Sequence, residues 1–290
     1  VVQMFYEKAK EDPLLTCQMG KNDKGLFVPT TYIQLLEKTK AIAASLKQLG
    51  VRRGDRIGLL SDNRPEWLAL DLGILSLGAA DVPRGRDAME YEIEYILSFS
   101  SVSVCVVENL ELYRKLDSVR NRLTELKYVI LIDEKGIAMK DGDITYSSLL
   151  SEGMKLLEEE GVREEIEREV MLGDENDTAT IIFTSGTTGL PKGVMTTHGN
   201  FLYICRVGHD LYPFKKGEKW LSVLPVWHSF ERIIQYLFIS LSHTICYSKP
   251  IGKIMLYDIQ RVNPHYMGSV PRIWETVKSG VYQNLRGMSK

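Results

Sequence analysis

"TIIFTSGTTGLPKGVMTTHGN" (residues 180–200) decides how the chain is read. Ile181, Ile182 and Phe183 form a short apolar run of the kind that makes a buried strand. The Ser, Thr and Gly residues that follow cannot continue a packed strand, and a helix begins at about His198. A small-residue loop between strand and helix lets backbone N–H groups approach an oxyanion. Ser185, Thr187 and Thr188 add hydroxyl donors, and Lys192 adds a point positive charge. The spacing is not that of a Walker A loop, because Lys192 is preceded by Pro191 and followed by Gly193. Gly, Ser and Thr are also common in plain surface loops. The strand before and the Pro-Lys-Gly-Val after favour the anion site.

Outward from this loop, helix and strand patterns alternate. Tyr32, Leu35, Leu36, Ile42, Ala43, Leu46 and Leu49 recur at helical spacing, with Gly50 as the stop. "RIGLLS" (56–61) reads as a buried strand, and "RPEWLALDLGILSLG" (64–78) as a helix with Pro65 in its first turn. "EYEIEYILSFS" followed by "VSVCVV", and "YRKLDSVRNRL" followed by "YVILI", repeat the unit. Strands separated by helices imply crossover connections, so the expected fold class is α/β, with layered, mainly parallel sheets flanked by helices. Residues 133–177 break the rhythm with a polar link and a charged stretch, "LLEEEGVREEIERE", expected to be a solvated helix held by local ion pairs. The break places a first subdomain at 1–173 and a phosphate-loop subdomain at 174–290. Beyond the loop, strands are expected around "WLSVL" and "HTICY", with helices around 230–241 and 271–285.

The composition of the 290 residues is that of an ordinary globular protein: 44% hydrophobic, 26% charged, formal net charge -2. It carries no basic bias of the kind that nucleic-acid binding requires. Cys17, Cys105, Cys205 and Cys246 are far apart, without the spacing of a zinc site or a disulfide framework, which suits a reducing cytosol. The longest apolar run, near Ile233, is far short of the roughly 20 residues that cross a bilayer. The sequon at Asn176 is read as chance.

"FTSGTTGLPKGV" (183–194) resembles the phosphate-loop signature of the adenylate-forming enzymes, and "DNRPEWLALDLGILSLGAADVPRG" (62–85), "LPVWHSFER" (224–232) and "SVPRIWE" (269–275) are most similar to long-chain fatty-acid CoA ligases. The resemblance implies the N-terminal domain of that fold and a two-step reaction. A carboxylate attacks the α-phosphate of ATP to give acyl-adenylate and pyrophosphate, and the thiol of coenzyme A then displaces AMP. Such a step needs positioning and charge neutralisation rather than a general base. By the same resemblance, Thr184 and Lys192 are the catalytic candidates and Thr184 is the Mg²⁺-side hydroxyl. Ser185, Gly186, Thr187, Thr188, Gly189 and Lys192 would surround the β- and γ-phosphates. His228, with Trp227 beside it, would border the acyl and adenylate site, although an isolated His is more often structural and Trp227 could be core packing. Arg84, Arg86 and Arg272 are read as surface residues or ion-pair partners, and Arg272 not as catalytic.

Set against the family, the sequence lacks the Tyr-Gly-x-Thr-Glu segment, the acidic ribose ligand, the hinge and the catalytic lysine of the C-terminal domain. The expectation is therefore an N-terminal portion of an ATP-dependent fatty-acid ligase, inactive alone, with an open sheet edge prone to self-association. The expected partners are fatty acid, ATP and CoA, with no nucleic acid. A cytoplasmic location is expected, with peripheral membrane attachment left open. Two alternatives stand beside this reading: transfer of the acyl group to a non-CoA acceptor, and a nucleotide- or lipid-binding module without turnover.

Overall fold

The computed structural model describes residues 1–134, 139–184 and 190–288. The chain opens with α1 (Val2–Glu11), β1 (Thr16–Lys21) and β2 (Phe27–Thr31). Next come α2 (Tyr32–Gln48), β3 (Arg56–Leu60), α3 (Pro65–Ser76), β4 (Ala80–Arg84), α4 (Glu90–Phe99), β5 (Val104–Val107), α5 (Leu110–Val119) and β6 (Tyr128–Leu131). The middle holds β7 (Ile144–Thr145), α6 (Tyr146–Leu156), α7 (Val162–Met171), β8 (Thr178–Thr184) and β9 (Lys192–Thr197). The last part is α8 (His198–His209), β10 (Lys219–Ser222), α9 (Ser229–Ser240), β11 (Thr244–Tyr247), α10 (Gly252–Val262) and α11 (Pro271–Met288).

Two sheets carry these strands. The larger has the order β7-β6-β5-β3-β4-β8-β9 and is parallel except for the β8–β9 hairpin. The smaller has the order β10-β11-β1-β2, parallel except between β1 and β2. Each sheet takes strands from both sides of residue 173, because β8 and β9 join the larger and β1 and β2 join the smaller. The mainly parallel α/β architecture expected from the alternating pattern is present.

Local chemistry sets the element ends. Thr31 and Gln34 form a reciprocal capping box that starts α2, with N···O distances of 3.3 and 2.9 Å. Gly50, at φ +95°, ends it as expected. α2 is buried between α3 and α6, and α6 approaches closely because position 153 is Gly: a Cβ there would lie 1.9 Å from the Ala41 carbonyl oxygen. The ladder between β4 and β8 is registered at one pair, Asp81 with Thr180. Pro83, which has no N–H, cannot extend it.

Two expectations need correction. The charged stretch 156–169 is not a single solvated helix with local pairs. Gly161, at φ +83°, separates α6 from α7, and α7 buries Ile166 and Val170. Its ion pairs run to α2: Glu167 to Lys40, Glu165 and Glu169 to Lys47, and Arg163 to Glu37. Lys192, expected on a free loop, is the first residue of β9. "KGVMTT" alternates too little to announce a strand, yet its backbone is claimed by β8.

The layers are fastened by one fully buried cation. The Arg232 guanidinium on α9 donates to both carboxylate oxygens of Asp81 on β4 at 2.8 Å and to Asp71 on α3. Its Nε donates to the Tyr236 hydroxyl at 2.9 Å, which in turn donates to Asp71 at 2.7 Å. Burial raises the Asp71 carboxyl above the usual range, the guanidinium opposes this, and the neighbouring Asp81 charge adds to it. Arg232→Met would leave two carboxylates buried without their cation. It should lower unfolding free energy by about 3–5 kcal/mol in urea denaturation. A loss under about 1 kcal/mol would show that the fastening is dispensable.

Candidate active site

Ligands in open parallel α/β sheets bind beyond the carboxyl ends of the strands. Those ends include Leu60, Arg84, Val107, Leu131 and Thr184 in the larger sheet, with Lys21, Ser222 and Tyr247 in the smaller. Three clefts open near these ends, and the segment from Ser222 to Phe230, which links β10 to α9, lines the second and third of them. One, of about 460 Å³, is polar and walled by Lys21, Asn63, Arg64, Glu108 and Asp133. A second, of about 320 Å³, has Asp62, Asn63, Arg86, Trp227 and Lys249 in its wall. The third, of about 360 Å³, is apolar, formed by Leu224, Pro225, Phe230, Val270 and Pro271, with His228 and Glu231 also lining it.

Thr184 and Lys192 face each other as Cα partners at the loop end of the β8–β9 hairpin, and both are exposed. Ser185, Gly186, Thr187, Thr188 and Gly189, between them, lie outside the described residues. The hairpin end is anchored from α4. The Tyr95 hydroxyl donates to the Pro191 carbonyl at 3.1 Å, and the rings of Tyr95 and Phe99 pack edge-on against Phe183 at 6.1 and 6.0 Å. An exposed hydroxyl and an exposed ammonium are thus held opposite each other by rigid elements. Neither residue is in the wall of the three clefts.

His228 is the N-cap of α9. Its backbone N–H donates to the Pro225 carbonyl at 3.0 Å, closing a turn, and its Nδ1 accepts from the Phe230 N–H at 3.5 Å. In the neutral ring, Nδ1 as acceptor leaves the proton on Nε2. The exposed imidazole can therefore offer a donor at the apolar cleft. Trp227, adjacent in sequence, lines the neighbouring cleft instead, so the two aromatic candidates are parted by the turn. The Arg84 guanidinium lies 4.8 Å above the Trp227 ring, and Gly85 packs against its edge, where a Cβ would come within 2.3 Å of Nε1. Arg84 is also paired with Asp87 and Glu92, Arg86 approaches Asp62 at 3.8 Å, and Arg272 is exposed.

Residues that the sequence did not flag complete the apolar cleft. Glu231 is fully buried; one carboxyl oxygen accepts from Trp220 Nε1 at 3.0 Å. Its other oxygen, and the Ser269 hydroxyl, have no hydrogen-bond partner among the described residues. Burial pushes the Glu231 carboxyl up to about 7. In the sequence, "SFER" looks like the charged start of a surface helix, and only the packing reveals that both charges point inward. Among the described residues no group of three or more His, Cys, Asp or Glu side chains could hold a metal ion.

The fold recurs in solved structures. An anthranilate CoA ligase in complex with anthranoyl-AMP superposes with a TM-score of 0.80 at 21% identity, over 94% of this chain and 50% of that one. A long-chain-fatty-acid-CoA ligase from Archaeoglobus fulgidus gives 0.78 at 20% identity, over 97% and 54%. Among curated proteins, a probable chloroplastic acyl-activating enzyme of Arabidopsis thaliana is 33% identical over 89% of this chain and 36% of its own length. A chloroplastic long-chain-fatty-acid–acyl-carrier-protein ligase of the same plant is 32% identical, with the same coverage. The chain thus spans little more than a third of these relatives. The family described as AMP-binding enzyme matches residues 7–288, and this chain belongs to it.

Proposed function

We propose that the protein activates a long-chain fatty acid with ATP and passes the acyl group to the thiol of coenzyme A, and that the present residues form the phosphate-binding and acid-binding half of that machinery. The observation that carries this reading is the pairing of Thr184 with Lys192 across an anchored hairpin, in a chain whose His228 caps an apolar cleft. The hairpin would hold the β- and γ-phosphates through Lys192 and the residues from Ser185 to Gly189, neutralising charge on the leaving pyrophosphate. The cleft at His228 would take the chain of the acid, with Nε2–H directed at its carboxyl end or at the adenylate. The carboxylate is already nucleophilic, so no base is required. Trp227, in the wall of the neighbouring cleft, would border the acyl-adenylate from the other side of the turn.

Mg²⁺ would supply further neutralisation of the triphosphate. Thr184 fits it as one hydroxyl ligand of an ion that arrives with the nucleotide. The remaining ligands, the grip on adenine and ribose, and the catalytic lysine are assigned to regions that the longer relatives have beyond the matched part. The open edge at β9, with Val194 and Met195 exposed, is assigned to docking of such a region or to self-association. The four cysteines are buried and unpaired, which supports the cytoplasm as the location. None of the described helices is long and apolar enough to cross a membrane, and peripheral attachment stays part of the proposal.

A second reading keeps the adenylation and replaces CoA by acyl-carrier protein. It is supported by the relative named for that acceptor at 32% identity.

The experiment is pyrophosphate release by the gene product with ATP, Mg²⁺ and a saturated long-chain acid, with CoA or acyl-carrier protein as acceptor. Release should depend on the acid, and one of the two thioesters should accumulate. Lys192→Ala should lower the rate about ten- to a hundredfold, the loss of one charge-assisted contact, with an unchanged thermal midpoint. Acid-independent release, or a Lys192→Ala variant as active as the parent, would refute the reading.

Glu231 adds a pH dependence. A neutral carboxyl suits an apolar chain in the cleft, whereas an ionised one sets a buried charge against it. Binding of the acid would therefore favour the protonated form, and burial, which raises this group to about 7, sets where the dependence falls. The KM for the acid should therefore be lowest below that pH and rise by up to about tenfold per pH unit above it. Glu231→Gln should flatten the profile between about pH 6 and about pH 8.5. An unchanged profile in the variant would remove Glu231 from the account.

A further inference from the structure

Residues 223–228 connect β10 to α9 without regular secondary structure, and Val226 within them is buried. A buried backbone amide outside a ladder needs a partner. It is supplied by a side chain from the other sheet. Asn63, in the turn after β3, accepts from the Val226 N–H through Oδ1 at 2.8 Å. Its Nδ2 donates to the Leu224 carbonyl at 2.5 Å and to the Ser222 hydroxyl at 2.8 Å. The amide therefore pairs with residues 224 and 226 much as the backbone of a neighbouring strand would. Its orientation is fixed by chemistry, since a carbonyl can only accept and an N–H can only donate. The Ser222 hydroxyl also accepts from Gln235 Nε2 at 3.2 Å, and that amide reaches Glu231 at 3.4 Å, so the contact continues into α9.

We propose that Asn63 is a positioning residue for the acid-binding cleft: it fixes the backbone of 222–226 and thereby the places of Trp227 and His228. It stands in the wall shared by the two more polar clefts and not in the apolar one, so it acts through the segment rather than on the substrate. Aspartate in its place has the same shape but no N–H, and it sets a carboxylate against the Leu224 carbonyl. The segment then loses its register while the Arg232 fastening of the layers is untouched.

The activity arm of the test rests on the fatty-acid reading; the structural arm does not. In the activity arm, Asn63→Asp should raise the KM for the acid about tenfold or more while the KM for ATP stays within about twofold. Its effect should largely vanish in a His228→Ala background, because both changes act through the same group. Equal rises in both KM values, or additive losses with His228→Ala, would overturn the proposal. In the structural arm, with Trp274→Phe as background, Asn63→Asp should increase acrylamide quenching of Trp227 by about twofold, since Trp67 and Trp220 are buried. Unchanged quenching would also overturn it. Should the variant not fold, hydrogen exchange of the parent protein decides. The Val226 amide should be protected at least about a hundredfold relative to an open chain, and absence of protection would contradict the assignment. A protein with no acid-dependent activity but with both structural results would refute the activity reading and leave the role of Asn63 in place.

Discussion

The arrangement depends on a buried charge that cannot be left alone. Arg232 has no access to water and sits among Asp71, Asp81 and the rings of Trp67, Phe201 and Tyr236. Desolvating a guanidinium is costly, and the cost is offset only when paired carboxylates meet it in good geometry. Because those carboxylates belong to α3 and β4, α9 can sit in one place against the larger sheet.

From that fixed helix the site follows. The N-terminus of α9 carries His228, which lies one turn before Arg232. The segment leading into it is held by Asn63 from the first sheet, and Trp227 is clamped between Arg84 and Gly85. The β8–β9 hairpin presents Thr184 and Lys192 from the same sheet, braced by Tyr95. Thr184 thus stands at the carboxyl end of β8 with Lys192 across from it, and the apolar cleft lies between the β10–α9 segment and the start of α11. Loops carry the chemistry, while strands and buried pairs fix their geometry.

Much of this was legible in the sequence where one local rule dominated. The helical run from Tyr32 and the Gly50 stop appear as read, and the apolar strands read in "RIGLLS", "VSVCVV" and "YVILI" are present at 56–60, 104–107 and 128–131. The phosphate-loop motif located Thr184 and Lys192 at a strand end, although it did not reveal that Lys192 opens a strand. β1, β2 and β4 went unread because "TCQMGK", "FVPTT" and "ADVPR" mix polar residues, Gly and Pro, and are strands only through their neighbours. Asn63, Glu231 and Arg232 were silent for a related reason. A buried charge and a backbone-mimicking amide look in one dimension like ordinary surface residues.

The account stands or falls on where the acid attacks. With a fatty acid carrying heavy oxygen in its carboxyl group, ATP and CoA or acyl-carrier protein, mass spectrometry of the products reports which phosphorus received the nucleophile. Attack on the α-phosphate forms a carboxyl-oxygen-to-phosphorus bond and releases unlabelled pyrophosphate. The later attack of the thiol on the acyl carbon then leaves one heavy oxygen on AMP. The account predicts labelled AMP and unlabelled pyrophosphate. Formation of ADP with the label in inorganic phosphate would mean attack at the γ-phosphate and would contradict it.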